Sequence, residues 1–281
     1  MKSVKFTKMH GLGNDFIVID DLGVASVISG GLSSEVAQKI CDRRFGIGAD
    51  QILWLRKPHA SALDARMEIL NADGSIAEMC GNGIRAVALY LNRHVFAGKT
   101  EFQIETLAGI KKVQVNGASV LVDMGIPFLG SGDVSQSTDS ISGGGELIQA
   151  GGAEFRFSEV NVGNPHAVFF VDQVTNFPVE KWGAILENHS RFPNRTNVEF
   201  VEVKSPNRIQ VRVWERGAGI TLACGTGACA SAVASLAAGK VQNPVEVQLP
   251  GGNLKITWSG PNNPVMMEGP AEEVFRGEIK L

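Results

Sequence analysis

The sequence predicts an α+β fold built from two similar domains. Three observations carry that reading. The stretches "MCGNGIRAVALYL" and "ACGTGACASAVASL" each set a cysteine, Cys80 and Cys224, directly before a Gly-x-Gly helix start. Around each cysteine the same elements recur in the same order. Those elements are several short strands and one main helix per half, which is an α+β pattern rather than a strict strand-helix alternation.

Each half opens on Gly-Asn and an apolar run, "GNDFIVID" (13–20) and "GNPHAVFF" (163–170). A helix-like segment follows, "SSEVAQKICDR" (33–43) and "VEKWGAILENH" (179–189). Arg-Phe then leads through a polar loop to an amide, Gln51 or Asn197, and into a strand. The next strand alternates with period 2, "ARMEIL" in the first half and "IQVRVW" in the second. Asn71 stands nine residues before Cys80, and Glu215 nine before Cys224. The period is too long for a solenoid and implies an internal duplication.

After Cys80, Ile84, Val87, Ala88, Leu91 and Val95 form one helical stripe, and Gly98 suits the C-terminal cap. After Cys224 the helix runs to Gly239 with small residues on nearly every face, the composition of a helix enclosed by a curved sheet. The boundary between halves is expected near Gly125-Ile126-Pro127, giving domains 1–124 and 125–269. The Gly- and Ser-rich stretch 130–146 reads as an exposed loop or hairpin.

Composition fits two globular domains. The chain has 281 residues, 44% hydrophobic and 20% charged, enough to bury a sizeable core. A net charge of −3 gives no basic surplus for nucleic acid or anionic lipid. The start shows no signal-peptide pattern, and no apolar run approaches the roughly 18 residues of a membrane span. The expectation is a cytoplasmic protein with reduced thiols. None of the four cysteines forms a C-x-x-C pair, so no metal site is expected. Cys41 and Cys229 read as core packing. "GLGND" lacks the G-x-G-x-x-G spacing of a dinucleotide site, and "CGTGA" lacks the ending of a Walker loop.

Cys80 and Cys224 are different. The first N–H groups of a helix have no internal partner and carry partial positive charge. An anion binds there, glycines permit close approach, and a cysteine thiolate is stabilised below the thiol's usual pKa of about 8.5. In a duplicated protein two such sites are expected to meet on one ligand. The backbone amides of Gly81, Asn82, Gly225 and Thr226 would hold a carboxylate. The two sulfurs would flank the neighbouring carbon, one removing its proton and the other returning one to the opposite face. No cofactor is demanded by that layout.

The stretches "HGLGNDF", "NADGS", "CGNG", "GNPH", "ER" and "ACGTG" resemble the diaminopimelate epimerases over essentially the whole chain. That family is similar in fold to proline racemases and phenazine-type isomerases. The resemblance implies two pseudo-symmetric halves, each a mixed, curved, barrel-like sheet around a central helix. The tail 270–281 is expected to return to the first half. The implied reaction is interconversion of LL- and meso-diaminopimelate without pyridoxal phosphate, in lysine and peptidoglycan precursor synthesis, by a homodimer.

By the same resemblance Asn14, Gln51, Asn71, Asn164 and Asn197 contact substrate. Each alone is a common turn residue, but a diamino diacid needs amides that both donate and accept. Arg216 is the expected clamp for the distal carboxylate, where a bidentate guanidinium suits the task. Glu215 is expected to face ammonium charge and, with His166, to tune the cysteines. Three other readings stand beside this one. A proline-type racemase needs no distal clamp. A former enzyme that only binds amino acids, and a purely structural protein, leave the paired cysteines without a purpose.

Overall fold

The computed structural model describes residues 3–23, 31–130 and 145–280. Most of the loop expected at 130–146 lies outside them. The chain divides into two compact units, Met1–Val122 with Gly269–Leu281, and Asp123–Glu268.

The first unit holds strands β1 (Ser3–Gly11), β2 (Asn14–Asp21), β3 (Gln51–Arg56), β4 (Ala65–Asn71), β5 (Ile76–Ala77), β6 (Glu101–Thr106), β7 (Gly109–Asn116) and β8 (Ser119–Asp123). The last strand of the chain, β19 (Glu272–Lys280), pairs antiparallel with β1. Neighbours run antiparallel except β2 with β3 and β4 with β6, which are parallel, so the sheet is mixed. Helix α1 (Ser34–Cys41) covers one face, where Ala37, Ile40 and Cys41 pack with Ile17, Ile19, Ile52 and Trp54. Helix α2 (Gly81–Tyr90) lies against β1, β2, β7 and β19.

The second unit repeats this plan. Its strands are β9 (Phe128–Leu129), β10 (Glu146–Ala150), β11 (Ala153–Asn161), β12 (Pro165–Phe170), β13 (Asn197–Ser205), β14 (Arg208–Glu215), β15 (Gly219–Ile220), β16 (Val245–Leu249), β17 (Gly252–Trp258) and β18 (Val265–Pro270). Again two pairs are parallel, β12 with β13 and β14 with β16. Helix α3 (Val179–Glu187) covers one face through Val179 and Leu186 against Phe169, Val198 and Phe200. Helix α4 (Gly225–Ala237) is in contact with β11, β12, β13, β14, β16 and β17. Its Ala, Ser, Gly and Cys side chains let strands approach on every side, as its composition predicts. The two units therefore share one pseudo-symmetric topology, including the order of parallel and antiparallel pairs.

One expectation needs correcting. The stripe from Ile84 to Val95 predicts a helix with one apolar face, yet every residue from Gly81 to Leu89 is buried, Arg85 completely. Arg85 is accepted because its donors are spent internally. Nε donates to Pro270 O at 3.1 Å, Nη1 to Gly81 O at 3.3 Å and Nη2 to Asn82 Oδ1 at 3.0 Å. The α-helix also stops earlier than the stripe, at Tyr90, and continues as one π-helical turn over Leu91–Val95. Cys41 and Cys229 are core residues, as their positions suggest.

The segment after α1 shows how the chain delivers site residues to the sheet. The N–H groups of Ile47, Gly48 and Ala49 bond the last carbonyls of α1, those of Ile40 and Cys41, at 2.8–3.1 Å. Gly46 passes so close to that helix end that a Cβ would lie 2.2 Å from Lys39 O and 2.5 Å from Ile40 O. Backbone oxygens cannot swing aside as a side chain can. Gly46→Ala is expected to destabilise the protein by about 2–3 kcal/mol in urea unfolding, the usual cost of forced overpacking. A loss under about 0.5 kcal/mol would show that the loop is not fixed by this contact.

Candidate active site

In the first unit the site residues gather at one end of the sheet. Asn14 starts β2, Gln51 starts β3, Asn71 ends β4, and Cys80 is the N-cap of α2. Register explains the grouping, since Phe16 pairs with Gln51 and Gln51 with Asn71. The turn before Asn14 is a two-residue hairpin in which Leu12 and Gly13 both have positive φ, 57° and 85°. Leu12 is buried, so apolar burial holds a conformation that a leucine alone avoids.

The Cys80 sulfur accepts from Gly83 N at 3.3 Å, and the thiol donates to Asn14 Oδ1 at 3.6 Å. Asn82 Nδ2 donates to the same oxygen at 3.3 Å. Asn14 is turned this way by Asp50, whose Oδ2 accepts from Asn14 Nδ2 at 2.8 Å. Asp50 is in turn held by Arg43 at 2.7 Å, beside Asp15 and Lys8. Burial works to raise the Asp15 carboxyl, but its bonds to Arg43 and Lys8 hold it well below the usual carboxylate range. Gln51 Nε2 donates to Asn71 Oδ1 at 2.8 Å, and Asn71 Nδ2 to Ser75 Oγ at 2.9 Å. Gln51 Oε1 is buried with no partner, an acceptor suited to an ammonium group.

The second unit sets the equivalent end of its sheet differently. Cys224 is the N-cap of α4 and accepts from Gly227 N at 3.3 Å, with Thr226 Oγ1 at 3.4 Å. Asn164 Nδ2 donates to Thr226 Oγ1 at 3.4 Å. Asn164 Oδ1 faces His166 Nε2 at 2.9 Å, and His166 Nδ1 faces Glu199 Oε1 at 2.7 Å. His166 and Glu199 are both wholly buried. Glu215 accepts from Thr221 Oγ1 at 2.5 Å. Asn197 is spent on the backbone, donating to Pro165 O and accepting from Arg216 N, both at 2.9 Å. It braces the strand ends and the start of the Arg216 loop.

Arg216 itself is exposed and donates to Asn194 O at 3.3 Å. It borders a groove of ≈520 Å³ with Asn161, Pro165, Asn194 and Arg195. Among the described residues it has no acidic partner, which suits an anion clamp.

The position of each cysteine follows from helix geometry. The N–H groups of Gly81 and Asn82, and of Gly225 and Thr226, are the first two of their helices and have no intrahelical acceptor. The third goes to the sulfur. One expectation fails here. A helix N-terminus should lower the thiol pKa, yet Cys224 is pushed well above its ordinary value. Burial is the main cause, followed by the charges of Glu215 and Glu199. The helix end and Thr226 oppose that shift without reversing it. Sequence reasoning also missed Asp50, Arg85 and Glu199. Asp50 precedes the amide Gln51 and Glu199 sits within an alternating strand, so nothing in their local pattern marks them.

Asp50→Ala frees the Asn14 amide. Turnover is expected to fall about tenfold, roughly the worth of one charge-assisted hydrogen bond. Asp50→Asn, which can still accept from Asn14, should retain most of it. Full turnover in Asp50→Ala would remove Asp50 from the site.

Solved structures share the fold at low identity. A phenazine biosynthesis protein of the PhzF family from Bacillus anthracis superposes with a TM-score of 0.70 at 16% identity, covering 100% of both chains. A hydroxyproline epimerase from Agrobacterium vitis gives 0.67 at 16% identity, covering 99% of this chain and 91% of the other. Sequence relatives are much closer. A diaminopimelate epimerase of Carboxydothermus hydrogenoformans is 49% identical over 99% of this chain and 100% of its own. The profile of the diaminopimelate epimerase family matches residues 6–129 and 158–274, which takes in both cysteines and every amide named above. The chain belongs to the diaminopimelate epimerase family.

Proposed function

We propose that Cys80 and Cys224 are the two acid–base groups of this enzyme and that the amides around them bind its substrate. The enzyme is an isomerase that interconverts LL- and meso-2,6-diaminopimelate in lysine biosynthesis. The observation that carries the assignment is the repeated device. Each unit presents one cysteine sulfur as the N-cap of its central helix, accepting from the N–H of the third helical residue.

In one direction a thiolate takes the α-proton. The C–H bond breaks, an S–H bond forms, and the electron pair moves into the adjacent carboxylate. The other thiol then delivers its proton to the opposite face, inverting the centre and leaving the second sulfur as thiolate. The roles exchange in the reverse direction. The N–H groups of Gly81, Asn82, Gly225 and Thr226 stabilise the charge that builds on the carboxylate. Two thiols supply all the proton chemistry, so the mechanism calls on no cofactor. Asn14, Gln51, Asn71 and Asn164 orient the amino acid end. Asn197 acts by fixing the backbone of Arg216, and Arg216 holds the distal carboxylate. Glu215 and His166 set the ionisation around Cys224. We further propose that the enzyme works as a homodimer in the cytoplasm, as the family resemblance implies.

Cys80→Ser and Cys224→Ser are each expected to lower turnover by a factor of at least about 10² with the fold intact, since a positioned acid or base contributes about 10²–10⁴-fold. Wild-type turnover in either variant, with folding checked by circular dichroism, would end the two-thiol assignment.

A proline-type racemase is the competing reading, because those proteins share the fold. In D₂O the reduced enzyme should exchange the α-proton of LL-diaminopimelate and leave L-proline untouched. Arg216→Ala should raise KM for diaminopimelate about tenfold or more, the scale of a lost charge-assisted pair. Exchange of proline, or an unchanged KM, would take Arg216 out of the distal site.

A further inference from the structure

The duplicated units differ at the two positions beneath the cysteine. Glu199 stands two residues after Asn197, where the first unit has Leu53 two residues after Gln51. His166 pairs in parallel register with Asn197, where Phe16 pairs with Gln51. A Cβ on Gly83 would lie 3.0 Å from Leu53 Cδ2 and 3.4 Å from Cys80 Sγ. The same atom on Gly227 would lie 2.8 Å from Glu199 Oε1 and 3.3 Å from Cys224 Sγ. The Glu199 oxygen and the Cys224 sulfur are therefore within about 6 Å of each other. A buried apolar floor in one unit is replaced by a buried carboxyl group in the other.

Burial pushes the Glu199 carboxyl above the usual carboxylate range, and the bond to His166 opposes that shift. Asn164 spends its NH₂ on Thr226, so its oxygen faces His166 Nε2. The other imidazole nitrogen faces Glu199 Oε1. The second oxygen, Glu199 Oε2, is buried without a hydrogen-bond partner. Where the Glu199 carboxyl is ionised, its negative charge disfavours the Cys224 thiolate. The charged groups facing Cys224 within the unit are Glu215 on β14 and Glu199 on β13, with His166 on β12 beyond Glu199.

We infer that Glu199 is a positioning residue of the proton transfer: its buried carboxylate makes the two thiols unequal and keeps Cys224 as the thiol that holds the proton in the resting enzyme. The inference rests on the two-thiol reading above. It adds that the free enzyme starts from one protonation form, so that the two directions of the reaction begin from unequal states. Glu199 touches no substrate in this account and acts only through the Cys224 sulfur.

The test is pH-resolved labelling of the reduced full-length protein with iodoacetamide, read separately at Cys80 and Cys224 by peptide mass spectrometry. The midpoint of labelling against pH is compared with free cysteine in the same tube, so that restricted access, which scales the rate, does not enter. In the wild type the Cys224 midpoint is expected above that of free cysteine, although an N-cap alone would place it below. Glu199→Gln keeps the shape, removes the charge, and should lower that midpoint by about one unit, a tenfold faster labelling at fixed pH below it. The Cys80 midpoint should stay in place.

A wild-type Cys224 midpoint at or below free cysteine overturns the inference, whether or not the variant folds. An unmoved midpoint in folded Glu199→Gln overturns it as well. Failure of the two-thiol reading is separately visible, because full activity in Cys224→Ser leaves the labelling midpoints where they are.

Discussion

The structure depends on one constraint: a cysteine sulfur must cap a helix that is enclosed by its own sheet. The third helical residue then lies between the sulfur and the strand beneath. Gly83 sits 3.4 Å from Cys80 Sγ and 3.0 Å from Leu53, measured from where its Cβ would be, and Gly227 is tighter still. A side chain there would crowd both the sulfur and the strand, which accounts for the second glycine of each Cys-Gly-x-Gly motif. With no side chain at the third position, its N–H reaches the sulfur.

Enclosure has a second consequence. A helix covered on every side leaves no solvent for the polar groups near its start, so each must find a partner in the protein. In α2 the solution is Arg85, which ties Gly81, Asn82 and the returning chain at Pro270. In α4 it is the line from Thr226 through Asn164 to His166 and Glu199. A charge so placed is costly when its partner is removed, and it holds its neighbours in one arrangement. These bonds hold the groups at each helix start in one arrangement.

Much of this was legible in the sequence, because duplication writes the same physics twice. Order and spacing around the two cysteines yielded the α+β plan, the strands and the helix starts, and small residues in α4 signalled its enclosure. The amides at the strand ends were legible as a set. What stayed hidden has one cause. Alternation in a strand tells apolar from polar faces, and a polar residue is read as pointing to solvent. In "NVEFV" that places Glu199 outside. Here both faces of the sheet are covered, Val198 and Phe200 packing with α3 while Glu199 turns to the start of α4. Arg85 is hidden in the same way, a charged residue on what looks like the free side of an amphipathic helix. Burial of Cys224 itself, followed by the charges of Glu215 and Glu199, raises its pKa, so a rule for isolated helix ends has the wrong sign there.

The two units place their acidic groups differently. In the first, they lie at the rim, although Arg85 is buried at the start of α2. Asp15 and Asp50 meet Arg43, whose side chain is 58% exposed, and they reach the site only by turning Asn14, while Phe16 and Leu53 keep the floor apolar. In the second, Pro165 and Thr196 occupy the positions of Asp15 and Asp50, and the titratable side chains His166 and Glu199 lie wholly buried beneath the helix start. The asparagines follow. Asn14 offers its oxygen to the Cys80 thiol, whereas Asn164 turns its NH₂ toward Thr226 beside Cys224. The backbone plan kept its symmetry because enclosure of a capped helix requires it. The side chains around it are not bound by that requirement, because the cap and the glycine beside it are set by the backbone alone.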